Sequence, residues 1–133
     1  MVDFLSSLHF FNALLILLAG TVTGIWGLIL FFMKRERINR PWRISLIFTA
    51  IVSLLQAVFG IILLLLGQKP DGGTGLYYLH FVYGAIVALA IPVAVTYATG
   101  GKKPRRDILI FSVISLILVA AAVRGLMTGP APH

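Results

Sequence analysis

The sequence predicts an all-α integral membrane protein, a single four-helix bundle that runs up-down-up-down. Three observations carry this expectation. The 133 residues are 59% hydrophobic and only 11% charged, with a mean hydropathy of +1.02, far too apolar for a soluble domain of this size. The apolar residues fall into four long runs, at 5–33, 44–67, 76–99 and 108–127. At 1.5 Å of rise per residue, each can cross a hydrocarbon core of roughly 30 Å. The connections between them are eight to ten residues long, which sets neighbouring helices antiparallel.

Charge decides the expected orientation. The net charge is +7 and the pI about 10.4, but the cations do not form the soluble basic face with aromatic platforms that nucleic acid requires. Nine of the 11 Lys and Arg residues lie in two loops, KRERINRPWR (34–43) and GGKKPRRD (100–107). The middle loop, QKPDGGTG (68–75), has one. The positive-inside rule then puts both basic loops in the cytoplasm and both termini outside, in the inner (plasma) membrane, with contact to anionic lipid as a secondary use of the cations. With no cysteine in the chain, disulfides, thiolate metal sites and cysteine nucleophiles are excluded. Residues 1–7 carry no cation and no small-residue cleavage pattern follows, so the first apolar run is read as a span and not as a leader.

Each element has its own signals. Asp3 is a candidate cap for the first helix, and Gly20, Gly24 and Gly27 give that helix a small-residue face where another helix, or a second copy of the chain, can approach closely. Pro41 marks the start of the second helix and Trp42 is expected in an interfacial aromatic belt with Tyr77, Tyr78 and Tyr97. Gln56 stands in mid-span with Gly60 one turn on. Thr74 is a candidate cap for the third helix, where Pro92 removes one backbone hydrogen bond and predicts a kink. The fourth run carries Arg124 near its end, and the tail TGPAPH with His133 is read as solvated and disordered.

Absences narrow the chemistry. All four acids, Asp3, Glu36, Asp71 and Asp107, fall in loops or at helix ends. A small multidrug-type transporter, which normally needs a carboxylate within the membrane, is disfavoured. No acid accompanies a histidine at a fixed helical spacing, so neither a catalytic triad nor zinc-type hydrolysis is supported. The polar residues that remain inside are His9, His80, Gln56 and Arg124. His9 and His80 each fall six residues after a cap candidate, near the outer face, on the first and third helices. Those helices are diagonal in a cyclic bundle. Two facing imidazoles at one depth are the arrangement that holds a b-type haem by both axial positions, which makes His9 and His80 the metal ligands. Gly60 and Gly84 would thin the helix walls for the porphyrin, and the Arg124 fork suits its propionates. Counted from the cytoplasmic ends, the two histidines differ by roughly 8 Å of rise, which helix tilt has to absorb.

The run LLQAVFGIILLLLG (54–67), a short loop and then LHFVYGAIVALAIPV resemble one half of haem A synthase, an enzyme built of two four-helix halves. The resemblance covers about half the chain and is carried by Gln56, Gly60 and His80. It implies a haem-binding bundle. In that family the ligand helices of each half are its second and fourth, and an acid stands near the outer histidine, so a haem protein of the small cytochrome b561-type is implied rather than the synthase itself. Two classes of function follow. One is electron transfer through haem to a quinone or a larger membrane complex. The other is a cofactor-free structural or assembly subunit, in which His80 bonds Tyr77 or a backbone carbonyl and Gln56 merely joins helices. A pore for a neutral or anionic solute is a third option, resting on Arg124 alone.

Overall fold

The computed structural model describes residues 2–34, 39–67, 78–100 and 102–128. They form four helices: α1 (Val2–Phe32), α2 (Arg40–Leu65), α3 (Tyr78–Tyr97) and α4 (Pro104–Thr128). There is no strand among the described residues. All four helices are long and apolar enough to cross a membrane. Large apolar side chains such as Leu18, Ile29, Ile44, Leu65 and Val95 are exposed around the whole circumference, a surface that hydrocarbon tolerates and water does not. Four such helices are what a multi-pass membrane protein needs. Thr74, Tyr77, Glu36, Asp71 and His133 lie outside the described residues.

The helix boundaries differ from the apolar runs for local reasons. α2 starts at Arg40, four residues before its run, because Asn39 accepts a hydrogen bond from the Trp42 amide at 2.8 Å, with Pro41 in the first turn. α4 likewise starts early, on Pro104. Asp3 does not cap α1 from outside: the helix already includes Val2, and Asp3 is an acid of the first turn, where it complements the helix dipole. Gly67 and Gly100 take positive φ beyond α2 and α3, the left-handed conformation that ends a helix at least cost on glycine. α3 runs through Pro92 to Tyr97.

The helices are arranged cyclically. α1 packs extensively on both α2 and α4, α3 packs on α4, and the α2–α3 seam is the thinnest. The α1–α4 seam is the closest, because a Cβ on Gly20 would stand 2.6 Å from Val119 and one on Gly24 would stand 2.6 Å from Leu116. At Gly27 an added methyl would overlap the Ser112 hydroxyl and reach within 3.0 Å of the Trp42 ring. The small-residue face of α1 is thus taken up by α4 of the same chain, and an association of two copies through these glycines would require α4 to move away.

Trp42 is not part of an outward-facing belt. It is 0% exposed, and its indole N–H donates to the Thr23 carbonyl at 2.9 Å. A buried indole finds a hydrogen-bond partner because the alternative is an unsatisfied donor in an apolar interior. Around it, the Thr23 hydroxyl pairs with Ser45 and with Thr49, the latter at 3.1 Å. At the same end, the connection from α3 to α4 is closed by Asp107. This carboxylate is buried and accepts from the Thr99 amide at 2.8 Å and from the Thr99 hydroxyl at 2.9 and 3.0 Å. Arg105 turns the other way, its guanidinium 4.8 Å above the Phe31 ring of α1.

Candidate functional site

The opposite end of the bundle holds the candidate site. His9 lies on α1 and His80 on α3, diagonal helices that share no extensive seam. Their rings nevertheless meet across the interior, with centroids 6.0 Å apart and planes at 65°. The difference in depth that residue counting gives is therefore absorbed. Both rings are half-buried.

Each imidazole is held differently. Nδ1 of His80 lies 2.9 Å from the Gly125 carbonyl of α4. A carbonyl can only accept, so Nδ1 is the protonated nitrogen and Nε2 carries the lone pair, the tautomer that a metal ligand requires. His9 is wedged against α2. Its Cε1 stands 3.3 Å from where a Cβ on Gly60 would be, so the missing side chain of Gly60 makes the room for the ring. The main-chain carbonyl of Gln56 is close to His9, yet Nδ1 of His9 is buried with no hydrogen-bond partner. A buried polar atom without a partner is unusual. The Ser115 hydroxyl on α4 is the other buried polar side-chain atom among the described residues with no partner.

The neighbours complete the geometry. Asn12, one turn along α1 from His9, donates through its amide to Gln56 Oε1 at 2.9 Å and to the Val52 carbonyl at 2.8 Å. Gln56 therefore ties α1 to α2 and faces no open space through that oxygen. Gly84, one turn from His80, has no described atom within 4 Å of an added Cβ. Arg124 is exposed at the same end, with its guanidinium 5.6 Å from the Tyr83 ring centroid and 3.9 Å from the Met127 sulfur. Of the residues singled out in the sequence, the structure brings His9, His80, Gly60 and Gln56 into one cluster. Gly84 lies one turn from His80 on α3, and Arg124 precedes Gly125, the His80 partner, on α4.

The sequence places Asn12 beside His9 in the first turns of α1 but assigns it no role. Its position three residues after His9 was the available signal, since i and i+3 share a helix face. No group of three or more His, Cys, Asp or Glu side chains that could hold a metal ion occurs among the described residues. His9 and His80, with ring centroids 6.0 Å apart, are the two side chains that could hold a haem iron here. No family model matches the chain, and no curated protein or solved structure matches it either.

Proposed function

We propose that this chain is a small membrane haem protein in which His9 and His80 would hold the iron of a b-type haem. The observation that carries the reading is the meeting of the two imidazoles from diagonal helices, 6.0 Å apart, with one nitrogen of His9 buried and unpartnered. Bound there, the haem supplies one-electron redox chemistry. The chain's own contribution is to hold and tune. Gly125 fixes the tautomer and ring orientation of His80, Gly60 admits the His9 ring, and Asn12 with Gln56 stiffens the α1–α2 wall behind it. Gly84, one turn from His80, leaves open space on α3, and Arg124 is the cation available for the propionates. The thinness of the α2–α3 seam makes it the natural entrance for a flat macrocycle.

In this reading both basic loops face the cytoplasm and both termini the outside of the plasma membrane. The haem then sits at the outer face and passes electrons between an outer donor and a quinone or a larger membrane complex. The competing reading is a cofactor-free structural or assembly subunit. It draws on the contacts that His80 makes with Gly125 and Gln56 with Asn12, which would serve packing alone.

The two separate on haem content, measured after expression with haem available. The wild type is expected to carry one haem per chain. His80→Ala and His9→Ala should each lose it while eluting as the same folded species in detergent. A full haem complement in His80→Ala contradicts the assignment, and a haem-free wild type favours the structural subunit.

A further inference from the structure

At the other end of the bundle, the surface between α3 and α4 holds a groove of about 520 Å³. Its walls are almost entirely hydrocarbon, from Val93, Leu109, Ile110 and Val113, and its mouth carries Arg106 and Tyr97. The two adjacent arginines divide the work. Arg105 packs over Phe31 on the α1 side and donates to the Phe31 carbonyl at 3.3 Å, whereas Arg106 lines the groove. Asp107, next in sequence, is turned inward onto Thr99 and is not a wall of the groove. The polar end is thus cationic, with Lys102 and Lys103 in the same connection.

We infer that this groove binds one anionic phospholipid. Its phosphate sits on Arg106 with the Tyr97 hydroxyl beside it, and the upper part of one acyl chain lies between α3 and α4. Charge complementarity selects the occupant. An apolar slot alone would accept any lipid tail, but a guanidinium fork at headgroup level favours a phosphate that carries net negative charge. The dimensions agree: Arg106 and Val113 are separated by about 10 Å along α4, the reach of the upper half of an acyl chain. The inference needs the chain to sit in a bilayer and is independent of any haem at the histidine end.

The test is retention of phosphatidylglycerol against phosphatidylcholine by the full chain in mixed-lipid nanodiscs or by native mass spectrometry from a neutral detergent. Wild type should retain one phosphatidylglycerol in preference to phosphatidylcholine. Arg106→Gln should weaken phosphatidylglycerol roughly fivefold, the factor given by about 1 kcal/mol per basic side chain at an anionic surface. Arg105→Gln should leave retention unchanged, and Val113→Trp, which fills the slot without altering charge, should release the lipid. Inorganic phosphate at millimolar concentration should not displace it. Equal retention of both lipids, or an Arg106→Gln variant that holds phosphatidylglycerol like wild type, overturns the inference. Displacement by free phosphate would overturn the lipid in favour of a simple anion site.

Discussion

The two ends of this bundle are built on opposite plans. At the end that carries the basic loops, the described inward polar groups of Trp42, Thr23 and Asp107 are each matched on the spot, whereas the Ser115 hydroxyl, midway along α4, is buried with no hydrogen-bond partner. The indole of Trp42 meets the Thr23 carbonyl, Asp107 meets Thr99, and three glycines draw α1 against α4 until no further methyl fits. At the histidine end the inside is looser and less settled. The α2–α3 seam is thin, space stands open beside Gly84, and one nitrogen of His9 has no partner. In lipid an unsatisfied polar group cannot borrow water. The contrast teaches that the first end is locked by close helix packing, while the second is joined across its thinnest seam by fewer contacts.

That contrast can be broken by substitution. The largest expected effect belongs to Trp42→Ala, which removes a fully buried indole together with its hydrogen bond to the Thr23 carbonyl. A loss of about 3–5 kcal/mol is expected, read as the disappearance of a folded, monodisperse species in detergent. Next comes a matched pair. Gly27→Val must push Ser112 and Trp42 aside and should cost about 1–3 kcal/mol. Gly84→Ala meets nothing and should raise stability by up to ~1 kcal/mol through helix propensity. Thermal melts that rank these two the other way would remove the distinction between a tight and a loose end. The smallest effect is expected of Gln56→Leu, about 0.6 kcal/mol for one interhelical hydrogen bond in a membrane, seen as a slight fall in melting temperature.

The four helices were legible because a continuous apolar run of this length leaves few alternatives, and the diagonal placement of His9 and His80 followed from helix order alone. What was not legible is which way side chains face. The helices are apolar on nearly all sides, so no hydrophobic stripe marks an inner face. Trp42 reads as a belt residue by its depth and proves to be core. Gly20, Gly24 and Gly27 announce a close partner without saying that the partner is α4 of the same chain. Asp107 reads as a loop acid, since nothing in its neighbours reveals that Thr99, eight residues earlier, returns to meet it. The same limit applied to the site. Gln56 was visible as a polar residue in mid-span, while its bond to Asn12 depends on a register that only packing fixes.

The most direct measurement is an optical spectrum of the purified wild-type protein, expressed with haem available and recorded oxidised and then dithionite-reduced. Two axial imidazoles predict a sharp Soret band and a narrow reduced alpha band of a six-coordinate b-type haem, at one haem per chain. A flat visible spectrum from folded protein would contradict the account, and His9 and His80 would then be packing residues of a structural membrane subunit.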